Sequence, residues 1–250
     1  MKHLGIIPAR YASTRFPGKP LVEINGLTMI ERVYRQAAQV IKTVYVATDD
    51  DRIADEVKRF NGNVIMTSVA HQSGTDRCFE ALELIQLKET TKYDVVVNIQ
   101  GDEPFIDPHQ IELLIDCFND ESTDIATLIK PIDSRDILFD PNKPKVVVGK
   151  NNKAIYFSRL PIPFLRGKTE AEWHLSHPYW MHIGLYAYRS HILNEITKLK
   201  QSPLELAESL EQLRWIENGY NVSVRISNHE SIGVDTPEDL TILKQKGFMK

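Results

Sequence analysis

The sequence predicts an α/β fold in which helices cover both faces of a mainly parallel sheet. Short apolar runs alternate with longer segments of helical periodicity along most of the chain, the pattern of repeated βα units. Residues that favour helix N-caps precede several of the helical segments. The length of 250 residues is sufficient for one large core, so we expect a single domain over residues 1–250.

The strands are predicted from apolar runs that are short enough to be buried on both faces. The run at residues 94–100, DVVVNIQ, is the clearest interior strand. The other predicted strands cover residues 3–8, 44–48, 63–67, 183–188 and 222–226.

Helices are predicted in the intervals between these strands. Thr28 and Glu31 are spaced as a capping box, and an apolar stripe follows them to Ile41. Asp107 is predicted to cap a helix that starts at Pro108. Further helices are predicted at residues 49–60, 75–87 and 204–217, and from the capping residue Thr236 to a stop at Gly247.

The alternation stops between about residues 133 and 180. Prolines punctuate this stretch, and the runs at 145–148 and 154–157 resemble a hairpin. We therefore expect an inserted lobe or arm here rather than an independent domain.

Composition and charge exclude several classes of function. The chain carries 30 Lys+Arg against 34 Asp+Glu, and binding to nucleic acid or anionic membrane needs a dominant basic face. No apolar run approaches the ~18 residues of a membrane span, and the chain does not begin with a signal-peptide pattern. Two cysteines cannot form a disulfide framework. We expect a cytoplasmic protein with no nucleic-acid partner and no membrane insertion.

The charge is distributed unevenly along the chain. Residues 1–22 contain four basic residues and no acidic one, so this segment carries +4 and the remainder −8. A cationic segment in an acidic chain indicates a specific anion site, although a chance gap in acidic residues would give the same count.

Several common motifs are absent from the sequence. It contains no Gly-x-Gly dinucleotide fingerprint, no Walker loop and no Gly-x-Ser-x-Gly nucleophile elbow. His174, His177 and His182 are close in sequence but lack cysteines or a paired acid at zinc-site spacing. For His174 and His177, the favoured interpretation is that they lie in an ordinary polar loop.

The first candidate site is the segment 8–21, PARYASTRFPGKPL. It follows the first predicted strand, at the sheet edge where open α/β folds bind ligands. Its small residues let backbone amides approach an anion, and Arg10, Arg15 and Lys19 supply positive charge. Polyphosphate is the ligand that this chemistry favours, and a solvated turn with surface cations is the alternative.

Two carboxylates are predicted at the same edge of the sheet. Asp102 follows the strand at 94–100, and Asp235 precedes the last helix. Each alone is compatible with a turn or cap residue. Together beside a cationic loop, they suggest Mg²⁺ bound with substrate phosphates.

Four other polar segments are candidates for binding a second group. Residues 71–77 form a polar loop that suits a base or ribose, and Arg159 can hold a carboxylate bidentately. His182 and Tyr186 lie at the start of a strand. Glu211 and Gln212 lie on an amphipathic helix, where a solvated role is the alternative.

Segment 7–21 closely resembles the signature of the 3-deoxy-manno-octulosonate cytidylyltransferase family. Related enzymes that activate sialic acid carry a glycine- and serine-rich first loop instead of Tyr-Ala-Ser-Thr-Arg. The other matches follow in order at residues 71–77, 98–104, 156–159, 182–188, 202–214 and 233–240. The resemblance spans nearly the whole chain, and only residues 163–179 match poorly.

The resemblance implies a Rossmann-like three-layer nucleotidyltransferase fold with a mixed, mainly parallel sheet and a smaller inserted lobe or dimerisation arm at about 133–180. It implies coupling of CTP to the eight-carbon sugar acid 3-deoxy-manno-octulosonate (Kdo), giving CMP-Kdo and pyrophosphate for lipopolysaccharide synthesis. Mg²⁺ as cofactor and a homodimer are implied as well.

The resemblance also implies roles for individual residues. Arg10, Lys19, Asp102 and Asp235 would be catalytic, the two aspartates as Mg²⁺ ligands. CTP would be bound by Ala9, Arg10, Ser13, Arg15, Lys19, Arg77 and Gln100. Kdo would be bound by Arg159, His182, Tyr186, Glu211 and Gln212, with Arg159 on its carboxylate.

Three other functions compete with this one. A sialic-acid cytidylyltransferase would use the same fold with another sugar acid. A non-catalytic nucleotide sensor would be expected to lack Lys19, Asp102 or Asp235, which are present. A glycosyltransferase usually marks its metal with Asp-x-Asp, and the one such spacing here, Asp49 and Asp51, is more typical of a helix cap.

Overall fold

The computed structural model describes residues 1–12, 15–71, 73–229 and 233–248. The chain forms two compact units. The first unit comprises Met1–Glu112 and His229–Lys250, and the second unit comprises Leu113–Asn228.

The elements alternate between strands and helices over most of the chain. The strands are β1 (His3–Ala9), β2 (Glu23–Ile24), β3 (Leu27–Thr28), β4 (Val44–Thr48), β5 (Asn63–Met66), β6 (Val95–Asn98), β7 (Ile125–Pro131), β8 (Lys145–Val148), β9 (Ala154–Ser158), β10 (Trp180–Arg189) and β11 (Val222–Ile226). The α-helices are α1 (Met29–Ala37), α2 (Asp51–Arg59), α3 (Gly74–Glu89), α4 (Pro108–Asp116), α5 (Arg135–Phe139), α6 (Trp173–Ser176), α7 (Ser190–Ile196), α8 (Pro203–Glu208), α9 (Gln212–Glu217) and α10 (Pro237–Gln245).

Parallel strands form the sheet of the first unit. β1 pairs with β4 on one side and β6 on the other, and β5 extends the sheet beyond β4. Every residue of β4 and β6 is buried, as expected for strands covered on both faces. The four strands predicted in this part of the chain are confirmed, with ends that differ by at most two residues.

Hydrogen bonds confirm most of the predicted helix starts. Thr28 Oγ1 accepts from the amide three residues later at 3.4 Å, and Asp107 Oδ1 accepts from the amide of His109 at 2.8 Å. At α10, Thr236 and Asp239 form the predicted capping box.

One predicted cap is wrong. Glu31 was expected to complete a box with Thr28, but its carboxylate pairs with Arg35 at 2.7 Å and with Arg59 at 3.1 Å. Glu31 is only 2% exposed, and a buried carboxylate gains more from charged partners than from one amide.

The second unit has a mixed sheet in which β7 is the central strand. β7 pairs parallel with β11 and antiparallel with β10, and β10 continues antiparallel to β8. β8 and β9 form the predicted hairpin, with Lys145 opposite Ser158. β7 itself was not predicted, although its first five residues, IATLI, have the apolar and β-branched character of a buried strand.

The single helix predicted over residues 204–217 is wrong, because the segment forms two helices. Ser209 has a φ of 51° and ends α8, and α9 starts three residues later. Glu205 and Arg214, one from each helix, form a buried ion pair with an oxygen–nitrogen distance of 2.5 Å.

Among the described residues, none of the helices has both the length and the apolar character that crossing a bilayer would require.

Candidate active site

A pocket in the first unit lies at the carboxyl ends of β1 and β6. The segments that follow these strands form its walls, together with the start of α3 and Asp235, which lies two residues before α10. The residues that line it include Ala9, Arg10, Arg15, Lys19, His71, Arg77, Gln100, Asp102 and Asp235. The structure therefore brings the predicted CTP and metal residues together, except Ser13, which is outside the described residues.

A tight turn directs Lys19 into this pocket. Gly18 has a φ of +73°, and its amide donates to the carbonyl of Tyr11 at 3.0 Å. A Cβ on Gly18 would lie only 3.1 Å from the ring of Tyr11. The turn leads into a 3-10 helix at Lys19–Leu21, and the Lys19 side chain is 12% exposed.

A second close approach places Asp102 beside Asp235. A Cβ on Gly101 would lie 3.0 Å from the carbonyl oxygen of Pro8, so glycine is needed where the ends of β1 and β6 meet. The carbonyl of Asp102 accepts from the amide of Val234 at 2.8 Å. This bond holds the residue before Asp235 against the end of β6.

Lys19 bridges the two predicted metal ligands. Its ammonium lies 2.9 Å from Asp102 Oδ2 and 3.1 Å from Asp235 Oδ1. Arg15 contacts the other oxygen of Asp235 at 3.2 Å, through an exposed pair that contributes little stability. Two carboxylates thus converge on one partly buried cation.

This arrangement fits the ligand preferences of Mg²⁺. Carboxylate oxygens are hard donors, and Mg²⁺ usually takes only one or two from the protein while water and phosphate supply the rest. Asp102 and Asp235 offer two such donors, and both already bind the positively charged ammonium group of Lys19. Among the described residues, no group of three or more His, Cys, Asp or Glu side chains could hold a metal.

Asp239 fixes the backbone beside Asp235. Its Oδ2 accepts from the amides of Asp235 and Thr236, both at 2.8 Å. Burial acts to raise the pKa of Asp239, but these hydrogen bonds outweigh burial and lower that pKa. The carboxylate therefore stays ionised and keeps the start of α10 rigid.

The guanidinium of Arg77 is bound by two side chains of the first unit. The residue is 4% exposed, and its guanidinium donates to Thr67 Oγ1 at 2.6 Å and to Asp49 Oδ2 at 2.7 Å. Asp50 caps α2 and binds Arg52. Within the run from Asp49 to Asp51, Asp49 thus forms an internal ion pair and Asp50 caps the helix, in agreement with the helix-cap interpretation of this run.

The predicted Kdo residues lie in the second unit, where several surround an aromatic cluster. The ring centroids of His182 and Tyr186 are 5.3 Å apart, and Trp215 meets Tyr186 edge-on at 5.1 Å. Tyr188 stacks on Tyr186 at 6.1 Å and also meets Trp215 edge-on at 5.6 Å. Such aromatic pairs hold their rings in defined orientations.

Several polar atoms in this cluster lack hydrogen-bond partners among the described residues. Gln212 Nε2 and Trp215 Nε1 are buried and have no hydrogen-bond partner among the described residues, and the Tyr186 hydroxyl makes no hydrogen bond of normal geometry there. Burial, with the nearby Tyr188 and Glu211, raises the pKa of Tyr186, so its hydroxyl keeps its proton. Buried donors without partners are costly, and a bound polar ligand would satisfy them.

Arg159 is engaged by the backbone. Its guanidinium donates to the carbonyls of Glu208 at 2.6 Å, Pro141 at 3.0 Å and Ser209 at 3.2 Å. A guanidinium has five N–H donors, so two remain for a ligand. Arg159 therefore links two loops of the second unit and can still bind an anion.

Thr127 and Trp215 belong to this cluster and were not among the predicted site residues. Trp215 lies three and four residues after Gln212 and Glu211, so helical spacing could have indicated it. Thr127 contacts His182 across the sheet, and no sequence pattern links two residues 55 positions apart.

Comparison with known proteins identifies what this chain is similar to. A family model described as cytidylyltransferase matches residues 4–231. A protein of Parabacteroides distasonis named 3-deoxy-manno-octulosonate cytidylyltransferase is 61% identical over 244 residues, which cover 96% of each chain. A solved structure of a CMP:2-keto-3-deoxy-manno-octonic acid synthetase complexed with CTP has a TM-score of 0.87 and 40% identity, and the match covers 99% of both chains.

A more distant structure bears on the fold alone. A putative glucose-1-phosphate thymidylyltransferase from Bacillus anthracis has a TM-score of 0.62 at 17% identity, with 98% of this chain covered and 94% of the other. Together with the CTP-bound structure it confirms the predicted Rossmann-like nucleotidyltransferase fold.

Proposed function

Since this chain belongs to the 3-deoxy-manno-octulosonate cytidylyltransferase family, we propose that it couples CTP to Kdo, giving CMP-Kdo and pyrophosphate for lipopolysaccharide synthesis. One observation in the structure carries the proposal. The pocket of the first unit collects three cations, Arg10, Arg15 and Lys19, around two carboxylates at the edge of a parallel sheet. That combination suits a triphosphate with its metal.

The reaction is a displacement at the α-phosphorus of CTP. The anomeric hydroxyl oxygen of Kdo forms a bond to this phosphorus, the bond from the phosphorus to the bridging oxygen breaks, and pyrophosphate carries that electron pair away. The hydroxyl proton is released to solvent. Such transfers depend on alignment and charge neutralisation more than on covalent help from the protein.

The first unit would bind CTP. Arg10, Arg15 and Lys19 would neutralise the triphosphate, with Arg10 and Lys19 nearest the reacting phosphate, and the amides around Ala9 would approach its oxygens. Arg77 and Gln100 would contact cytosine from the pocket wall. Ser13 would join them as a further phosphate contact.

Asp102 and Asp235 would hold Mg²⁺. The bound ion would neutralise phosphate charge and make the attacking hydroxyl more acidic. Lys19 now lies between the two carboxylates, so its ammonium would be freed to contact phosphate when the carboxylates bind a metal. Isothermal titration of the protein with MgCl₂ and CTP tests this arrangement, and Mg²⁺ uptake that is unchanged in Asp235→Asn would contradict it.

The second unit would bind Kdo. The Tyr186 hydroxyl and the unpaired Gln212 Nε2, with His182 and Glu211 nearby, would pair with its hydroxyl groups. The two remaining N–H groups of Arg159 would hold its carboxylate. Neutral, well-oriented donors suit a polyhydroxylated sugar, which has many hydroxyls and a single charge.

An assay with two sugar acids tests the proposed function. The protein is incubated with CTP and Mg²⁺ plus either Kdo or sialic acid, and both pyrophosphate and the CMP-sugar are measured. We expect turnover with Kdo only. Turnover of sialic acid but not Kdo would assign the related activity, and CTP binding without turnover of either sugar would indicate a nucleotide sensor.

We also propose that the enzyme is a cytoplasmic homodimer. Leu160, Phe164 and Leu175 are between 69% and 78% exposed, and exposed apolar side chains in one segment are typical of a subunit contact. Cys78 and Cys117 are both buried and form no disulfide, as is common in reducing compartments. Sedimentation velocity tests the dimer, with Phe164→Glu as a disrupting variant, and cell fractionation tests the compartment.

A further inference from the structure

The hydroxyl of Thr127 lies at an irregular point of the sheet in the second unit. Thr127 is fully buried on β7, opposite Tyr186 of β10. The register between these strands shifts between Ile183 and Tyr186, as in a β-bulge. The carbonyls of Ile183 and Leu185 both point at the Thr127 hydroxyl oxygen, at 3.1 Å and 2.9 Å.

The same hydroxyl contacts the ring of His182. Thr127 Oγ1 is 3.0 Å from His182 Nε2. A hydroxyl has one proton to donate, and a carbonyl can only accept. The proton must therefore point toward the two carbonyls, because the oxygen atoms would otherwise face each other with no proton between them. A lone pair of Oγ1 is then directed at Nε2, so Nε2 must carry a proton and donate it to Thr127.

The other ring nitrogen of His182 is left as an acceptor. Burial lowers the pKa of His182 to about 3, so the ring carries one proton at neutral pH. With that proton on Nε2, Nδ1 presents a lone pair. The hydrogen bond between the ring and Thr127 uses Nε2, so Nδ1 takes no part in it.

We propose that Thr127 is a positioning residue that fixes His182 in the Nε2–H tautomer, so that Nδ1 accepts a hydrogen bond from a hydroxyl group of the sugar-acid substrate. The identity of that substrate rests on the proposed function, whereas the tautomer does not. A bare imidazole nitrogen can accept from a hydroxyl but repels a carboxylate oxygen. His182 would therefore select how the sugar is oriented, while Arg159 takes the carboxylate.

The tautomer can be measured on the protein without any ligand. Long-range ¹H–¹⁵N correlation spectra of protein labelled at its 8 histidines distinguish protonated from bare ring nitrogens, and the His182→Gln spectrum assigns the signal of His182. We expect a protonated Nε2 and a bare Nδ1. A protonated Nδ1 in the unaltered protein would overturn the inference, whether or not Kdo is turned over.

Substitutions at Thr127 test the link to the substrate. Thr127→Val keeps the shape but removes the hydroxyl, and we expect a mixture of tautomers with a KM for Kdo at least tenfold higher, while the KM for CTP changes less than twofold. Thr127→Ser retains the hydroxyl, so we expect the single His182 tautomer and the KM for Kdo of the unaltered protein. An unchanged tautomer and KM in Thr127→Val would overturn the proposal.

Thr123 provides a matched control. Its hydroxyl is equally buried in the second unit and bonds to the Cys117 carbonyl at 2.9 Å and Ser223 Oγ at 2.8 Å, away from His182. Thr123→Val should lower stability without changing the His182 signal or the KM for Kdo. If Thr127→Val does not fold, Thr127→Ser and the spectrum of the unaltered protein still decide the tautomer. The expected tautomer without Kdo turnover would overturn the proposed function and support the role of Thr127.

Discussion

The pocket of the first unit and the aromatic cluster of the second unit are organised by different physical principles. In the pocket, Lys19 bridges two carboxylates and Arg15 pairs with one of them, so charges face each other at a partly open surface. In the cluster, Gln212 and Trp215 present buried, uncharged donors that have no hydrogen-bond partner among the described residues, and the Tyr186 hydroxyl makes no hydrogen bond of normal geometry there. The comparison teaches that one region is suited to recognise charge and the other the direction of hydrogen bonds.

Removing charge from the pocket should have the largest effect. We expect Asp102→Asn and Asp235→Asn each to lower turnover at least a hundredfold, roughly 3 kcal/mol of barrier, because the metal loses an anionic ligand. Rates at saturating Mg²⁺ provide the measurement. Asp55→Asn is the control, since Asp55 pairs with Lys58 on an exposed helix face, and it should keep full activity. A near-normal rate in either pocket variant would remove its metal role.

Arg159 is the residue of the second unit that is proposed to bind the charged group of Kdo, its carboxylate. We expect Arg159→Ala to raise the KM for Kdo roughly thirtyfold, about 2 kcal/mol for a lost charge-assisted hydrogen bond, with a much smaller change in the KM for CTP. Steady-state kinetics with each substrate varied in turn measure this difference.

A variant of Arg189 is the control that distinguishes loss of substrate binding from loss of structural support. Its guanidinium also binds backbone carbonyls, at 2.7 Å to Thr123 and 3.2 Å to Asp120. Arg189→Ala should lower the melting temperature as Arg159→Ala does, yet leave the KM for Kdo unchanged. If Arg159→Ala raised the KM values for Kdo and CTP equally, Arg159 would have only a structural role in the loops.

The neutral state of His182 predicts how stability depends on pH. Its pKa is about 3 in the folded protein, below the ordinary value of 6.5 because the ring is buried, so the unfolded chain binds the proton more tightly. The free energy of unfolding should therefore fall as pH drops below 6.5, by about 2 kcal/mol between pH 7 and pH 5 from this residue. Urea unfolding at both pH values measures it, and His182→Gln should lose this part of the dependence. The same pH dependence in both proteins would contradict the buried, neutral ring.

The smallest predicted effect is that of one hydroxyl in the cluster. Tyr186→Phe should raise the KM for Kdo three- to tenfold, about 1 kcal/mol, without lowering the free energy of unfolding, because that hydroxyl has no internal hydrogen bond of normal geometry. Tyr179→Phe should do the reverse, since its hydroxyl donates to the Pro163 carbonyl at 2.6 Å. Loss of stability in Tyr186→Phe would show that its hydroxyl is already satisfied.

The order of strands in the first unit, most helix starts, and the sheet edge at which Lys19, Asp102 and Asp235 meet are all predictable from the sequence. Alternation and capping depend on residues only a few positions apart, so a local reading can find them. Parallel strands place their carboxyl ends on one edge, which is why Asp102 could be assigned to the site before its neighbours were known.

Which side chains are in contact depends on long-range packing, which the sequence patterns do not show. The contacts from Lys19 to Asp102 and Asp235 join residues 83 and 216 positions apart, and Thr127 reaches His182 over 55. The local sequence likewise predicts one helix over residues 204–217. In the structure this segment forms two helices, because Ser209 adopts a left-handed backbone conformation and Glu205 pairs with Arg214 across the turn. Long-range packing selects these contacts because a buried charge or hydroxyl must find a partner wherever the fold brings one within reach.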